Sequence, residues 1–368
     1  MTARKGVKRY RMRCRERLYD ILELGTAADS ETTMTNAEWP AVEAPEHVLA
    51  IVNPASGAKR GQIVIERLRA TREPRVTLHV TTPDFDFARA IAEGVSAGAD
   101  RILVAGGDGT LMEGVSGALR ALGEAMVPFS WVPVGTGNVV SGFLGLPHRL
   151  EPALKLALGP GLIRRIDLAR VGDRCSVLRV STGFEAEAAF NTTRADKDRL
   201  GVLAYGITGL KSLRQTKPVE YLVSLDGQPP IHVDGILAFV TATGALTWIN
   251  GLSLINDAIQ PDDGLLYAGV LRPLNPARVL SGVANLVVGS GLPPESIIYF
   301  SARKRIVIDA KTPQPTQIDG DPLGTTPIIA DLLPRALPIV VPRERPRPWS
   351  SFEWLSPEWL SQHHEDDD

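Results

Sequence analysis

The chain has 368 residues, room for about two domains at roughly 150 residues each. Its apolar fraction of 44% supports a sizeable core and excludes global disorder. Its 40 basic and 42 acidic residues exclude a nucleic-acid binder that works through overall charge. Two cysteines, Cys14 and Cys175, provide neither a disulfide framework nor a Cys-x-x-Cys pair, which points to a reducing compartment. No apolar run reaches the roughly 18 residues of a membrane span. The best approach, Val279 to Leu292, is interrupted by Ser and Gly, so any membrane contact is expected to be peripheral.

Residues 1–46 read as an appendage. Eight Lys or Arg fall between Arg4 and Arg17, with Met12, Leu18, Tyr19, Leu22 and Leu24 among them. This pattern suggests a tail or one surface helix, and its charge suits an anionic lipid surface. From His47 a regular rhythm begins. Val48–Val52 reads as a buried strand ending in Asn-Pro, followed by a helix over Gln62–Ala70 and a strand over Val76–Val80. Helical spacing returns at Phe85–Ala97, then a strand at Arg101–Ala105, a helix at Leu111–Leu122 and a strand at Ser130–Val134. Strands alternating with helices imply a parallel sheet with crossover helices.

After about residue 163 the pattern turns to strands: Arg165–Val171, Ser176–Ser181, Val219–Leu225, Ile231–Thr241, Leu265–Leu271, Ile297–Ser301 and Arg305–Asp309. Two helical stretches interrupt them, Leu200–Leu213 and Pro276–Val288. The expected architecture is α/β followed by β: a parallel-sheet nucleotide-binding domain over 47–163 and a β-sandwich over 164–327. A tail from 342 to 368 is Pro-rich, then Trp-rich and acidic.

The chemistry concentrates at strand ends. Gly106-Gly107-Asp108-Gly109-Thr110-Leu111 lies between a strand and a helix, where glycines let backbone approach a ligand and the first helical N–H groups attract anions. It lacks the Lys-Ser/Thr pair of a Walker loop. Asp108 inside such a loop would repel phosphate unless it holds Mg²⁺ or a proton. Gly135-Thr136-Gly137-Asn138 ends the next strand, and Asn53-Pro54-Ala55-Ser56-Gly57 ends the first. In an open parallel sheet these turns meet at one carboxyl edge, where ligands bind. Taken singly, Asp262-Asp263-Gly264 and Asp319-Gly320-Asp321 read equally well as β-turns.

In their order, these motifs resemble the catalytic domain of the diacylglycerol kinase and sphingosine kinase superfamily, in its soluble bacterial form, over about residues 47–341. Thr81 with Arg89, Ile166-Asp167-Leu168, Gly183-Phe184, the Leu200–Tyr205 helix, Gln260–Leu265 and Ile318–Asp321 add to the resemblance. The Gly-Gly-Asp-Gly-Thr string is shared with NAD kinases. The resemblance implies a nucleotide-binding domain that the last strands, residues 328–341, rejoin, with the active site in the cleft beside the sandwich. It implies that Asn53, Ser56, Gly57, Thr81, Gly106, Gly107, Asp108, Gly109, Thr110, Leu111 and Thr136 line an ATP site. Gln260 and Leu265, through their carbonyls, and Asp263 would hold a structural Mg²⁺. Asp319 or Asp321 would supply the base, and Asp108 would hold catalytic Mg²⁺ or orient phosphate.

Three positions depart from the family pattern: Val139 and Glu185 where Asp is common, and Asp321 where Glu is common. The implied function is ATP-dependent phosphorylation of a lipid hydroxyl by a cytoplasmic protein that touches the inner face of the membrane. The alternatives are a kinase of a soluble hydroxyl such as NAD and a non-catalytic lipid or nucleotide sensor.

Overall fold

The computed structural model describes residues 7–14, 17–24, 39–57, 60–123, 125–135, 138–183, 217–243, 259–273 and 296–344. The basic segment expected as a tail or helix is instead a hairpin of two antiparallel strands, β1 (Val7–Cys14) and β2 (Arg17–Leu24). Its sequence explains the correction: Lys8-Arg9-Tyr10-Arg11-Met12-Arg13 alternates with the period of two that suits a strand, not the 3.6 of a helix.

A short strand, β3 (Ala41–Val42), leads into the α/β unit. That unit comprises β4 (His47–Val52), α1 (Arg60–Ala70), β5 (Arg75–Val80), α2 (Phe87–Ser96), β6 (Arg101–Gly106), α3 (Asp108–Leu122), β7 (Phe129–Pro133), α4 (Val139–Leu144) and α5 (Leu150–Leu158). The strands are parallel in the order β5-β4-β6-β7. Strand side chains alternate between faces, so one apolar run serves two cores. Leu49 and Ile51 pack with Ile91 of α2 and Val115 of α3. Val48, Ala50 and Val52 pack with Val64 and Leu68 of α1 and Leu154 of α5. Each fully buried side chain of this size contributes about 1.5–3 kcal/mol. Asp86 caps α2 by accepting from the Arg89 N–H at 3.0 Å.

The rest of the described chain is almost all strand: β8 (Gly161–Val171), β9 (Arg174–Ser176), β10 (Val180–Gly183), β11 (Val219–Leu225), β12 (Ile231–Gly235), β13 (Leu237–Thr241), β14 (Leu266–Leu271), β15 (Ile297–Ala302), β16 (Arg305–Ala310), β17 (Pro315–Ile318), β18 (Asp321–Thr325) and β19 (Ile328–Val341). An eight-stranded antiparallel sheet runs β1-β2-β15-β14-β13-β10-β17-β18, and β12-β11-β16-β19 continue directly into the parallel strands. Val180, Val240, Val270 and Phe300 of the first sheet meet Tyr221, Val223, Ile306 and Ile308 of the second in one core. Two strands expected as continuous are each split, because the chain changes sheets within them. Ser176 ends β9, beside β8, while Val180 begins β10 in the other sheet, and the same corner falls at Ile236 between β12 and β13.

β19 joins the two halves. Its start pairs with β16, and Ile339 pairs in parallel with Phe129 of β7. Its middle bulges between Leu333 and Leu337, where Arg335 has φ +52°. The helices expected over Leu200–Leu213 and Pro276–Val288, together with Glu185, Thr136 and the 345–368 end, lie outside the described residues.

Candidate active site

The three glycine-bearing turns meet at the carboxyl edge of the parallel strands. The side-chain amide of Asn53, just after β4, donates to Thr110 Oγ1 at 3.0 Å on α3. Gly57, at φ +59°, lies so close to the Val134 carbonyl that a Cβ there would overlap it. Gly135 is pressed against Gly107 with equally little room for a side chain. The Val134 N–H donates to the Gly106 carbonyl at 3.1 Å, and Trp131 Nε1–H donates to the same oxygen at 3.1 Å. Thr81 reaches this edge through its N–H to the Val52 carbonyl at 2.9 Å. Ser56 sits in the turn after β4, and Gly109 is the second residue of α3. Leu111 differs from the expectation: its side chain is fully buried in the core against α2, so it offers a ligand only its main chain. No side chain caps α3, whose N-cap is Gly107.

Asp108, the first residue of α3, turns toward α4. Its two carboxylate oxygens accept from the N–H groups of Val139 and Val140, each at 3.1 Å. Burial pushes this carboxyl up, while those amides pull it down. The acid therefore clamps the second glycine turn to the first. Each of the two oxygens keeps a further lone pair beyond its amide bond.

A second pair of acids comes from the turn between β17 and β18. Asp319, at φ +50°, accepts at Oδ1 from the Ser176 hydroxyl at 2.6 Å and from the Arg179 N–H at 2.8 Å. Its Oδ2 is buried and finds no hydrogen-bond partner among the described residues. Burial raises this carboxyl to about 7, and the nearby charge of Asp108 pushes in the same direction. Burial also lowers the Arg179 guanidinium, to about 9, while the charge of Asp319 pushes it back up. Gly320 N–H donates to Gln317 Oε1 at 2.6 Å, which fixes the turn. Asp321 is different: its side chain is 64% exposed and pairs with Arg174 at 3.0 Å.

The third expected cluster, Gln260 to Leu265, forms a loop of its own. Asp263 accepts from the Leu265 N–H at 3.1 Å and from the Tyr267 hydroxyl at 2.6 Å. Asp262 pairs with the nearly buried Arg164 at 2.9 Å, and Arg164 stacks over Trp39 at 4.7 Å. Asp167 is fully buried and accepts from the N–H groups of Gly264 at 2.7 Å and Arg335 at 2.6 Å. Burial raises its carboxyl, and the charges of Asp263 and Asp262 add to this. Among the described residues no three His, Cys, Asp or Glu side chains form a ligand cluster. One carboxylate with main-chain oxygens is nonetheless a hard-cation donor set, and three carboxylates beside one guanidinium leave negative charge that a divalent ion would offset. Gln260, Asp263 and Leu265 therefore fit Mg²⁺.

Sequence reasoning missed Arg174, Ser176 and Arg179, which sit in an ordinary strand pattern. Asp167 carried a signal: a lone acid between Ile166 and Leu168 in a buried strand needs partners.

Residues 47–171 match the diacylglycerol kinase catalytic domain, and residues 178–341 match the YegS C-terminal NAD kinase beta sandwich-like domain. A Pseudomonas putida protein named "Probable lipid kinase YegS-like" is 30% identical over 272 residues, covering 73% of this chain and 86% of that protein. The diacylglycerol kinase of Bacillus subtilis is 28% identical over 302 residues, covering 80% and 96%. The crystal structure of a diacylglycerol kinase from Bacillus anthracis shares the fold at a TM-score of 0.60 and 19% identity, over 82% of this chain and 99% of that one. The chain thus belongs to the diacylglycerol kinase catalytic-domain family and is a kinase of the diacylglycerol kinase and YegS type.

Proposed function

We propose that the chain transfers the γ-phosphoryl group of ATP to a lipid hydroxyl. One observation carries the reading: the turns of Asn53, Gly107 and Gly135 are held together at one sheet edge, with the carboxylates of Asp319 and Asp321 linked through β9 to the helix that starts there. In this reading the uncapped N–H groups at the start of α3 receive the triphosphate. The lipid hydroxyl oxygen attacks the γ-phosphorus, the bond to the ADP oxygen breaks, and the hydroxyl proton passes to a carboxylate. Asp321 is the acceptor, because its carboxylate is exposed while that of Asp319 is enclosed. Asp108 acts by fixing the second glycine turn. Mg²⁺, when bound, offsets phosphate charge; Gln260, Asp263 and Leu265 are the residues that would hold a structural ion.

The assay is phosphorylation of diacylglycerol, sphingoid bases, ceramide and phosphatidylglycerol, with NAD as the soluble control. The expected result is a product from at least one lipid that requires ATP and Mg²⁺, and none from NAD. Absence of product from every lipid hydroxyl contradicts the reading. Product from NAD alone favours the soluble-substrate kinase. ATP binding without any product favours the non-catalytic sensor.

The same reading makes the protein cytoplasmic with transient contact at the inner membrane face. Among the described residues no helix is long and apolar enough to cross a membrane. The basic residues of segment 4–17, at about 1 kcal/mol each near anionic lipid, and the Trp-rich end supply the attraction. Sedimentation with anionic liposomes that is unchanged on removing residues 1–24 and 345–368 contradicts this.

A further inference from the structure

β9 is three residues long, and each residue holds something different. Arg174 Nη2 lies 3.0 Å from Asp321 Oδ2. Cys175 N–H donates to Ser116 Oγ of α3 at 3.1 Å. Ser176 Oγ donates to Asp319 Oδ1 at 2.6 Å. Successive strand side chains point to opposite faces, so Arg174 and Ser176 share one, and the 319–321 turn covers it. The backbone between them is pinned to α3, the helix that begins at Asp108. β9 thereby sets the distance between the glycine turns and the exposed carboxylate, although α3 and Asp321 are about 200 residues apart in sequence.

The Arg174–Asp321 pair adds little to stability. Its side chains are 34% and 64% exposed, and such pairs are worth about 0–1 kcal/mol. Its consequence is orientation. A carboxylate this exposed has free choice of rotamer unless a fixed donor holds it, and a planar guanidinium on a pinned strand is such a donor. The charge around it completes the case. Glu113, on α3, stands in range of both groups: after burial, the charge of Asp321 pushes its carboxyl up and that of Arg174 pulls it down. The charge of Arg174 thus offsets the repulsion between two acids from different elements. Without it they repel, and the mobile partner is Asp321.

We propose that Arg174 is a positioning residue for phosphoryl transfer, holding the Asp321 carboxylate at fixed reach from α3 and shielding it from Glu113. The proposal rests on the reading of Asp321 as proton acceptor.

Rates are measured with Mg²⁺, labelled ATP and a total lipid extract. Arg174→Ala lowers kcat at least about tenfold and leaves KM for ATP unchanged. Arg174→Lys, which keeps the charge without the fork, recovers part of the loss. Adding Glu113→Gln to Arg174→Ala raises kcat again, which a role in folding alone would not produce. Urea midpoints of these variants stay close to wild type. An unchanged kcat in Arg174→Ala overturns the proposal. So does a raised KM with kcat intact, which would make Arg174 a nucleotide contact, or a loss that neither Lys nor Glu113→Gln relieves. A wild-type protein inactive on the extract overturns the functional reading and this proposal together, so the two failures are distinguishable.

Discussion

Asp319 shows what the site costs the fold. A carboxyl with one buried oxygen lacking a described partner is a destabilising group, and the charge of a second buried acid, Asp108, acts on it as well. Its folded value, near 7, lies above the ordinary carboxylate value of about 3.9, so the native state binds its proton more tightly than the unfolded chain does. Native stability from this group is therefore complete below the unfolded value and is lost as pH rises from there through about 7. Asp319→Asn removes the titration. Urea midpoints of the two proteins between pH 4 and pH 9 should diverge through that window, by up to about 1.4 kcal/mol per pH unit, in favour of the Asn variant, and run parallel above it. A constant difference contradicts the burial of this acid. Asp108→Ala tests the other acid. Releasing Val139 and Val140 frees the second glycine turn, and turnover should fall at least about 100-fold in a protein that still unfolds cooperatively. Unchanged turnover refutes the role.

At the level of elements, the parallel strands and their helices were legible because short unbroken apolar runs and a period of 3.6 are strong signals where a core is buried on each side. The glycine turns were legible for a different reason: Gly57 and Gly135 are demanded by backbone contact. What could not be read was pairing between distant segments. Nothing local to Arg174-Cys175-Ser176 announces that α3 lies on one side and the 319–321 turn on the other. The basic hairpin invites a helical reading because its alternation rests on only Tyr10 and Met12 among the basic residues. Arg101 is a further hidden link. Buried at 1% exposure, it donates to the carbonyls of Ala157 and Gly159 at the end of α5 and of Glu43 beside β3. Arg101→Met leaves those carbonyls unpaired, and chemical denaturation should show a loss of about 2–4 kcal/mol. A loss below 1 kcal/mol would mean the three bonds are dispensable.

For the whole molecule, the strand that returns from the sandwich to β7 ties the β-rich half and the α/β half into one continuous sheet. Its bulge is held by Asp167, which also holds the 260–265 loop, so an ion bound at that loop would stabilise both halves at once. Mg²⁺ should raise the melting temperature of the wild type, and Asp263→Ala should abolish the rise, as read by differential scanning calorimetry with and without chelator. An equal rise in both proteins places the ion elsewhere. The family assignment and the converging turns leave the acceptor as the central claim. Mass spectrometry of a total lipid extract incubated with the protein and labelled ATP tests it most directly. The account predicts a phosphorylated lipid that carries the label, needs Mg²⁺ and disappears with Asp108→Ala. An extract that gains no labelled lipid from an intact, ATP-binding protein would contradict it.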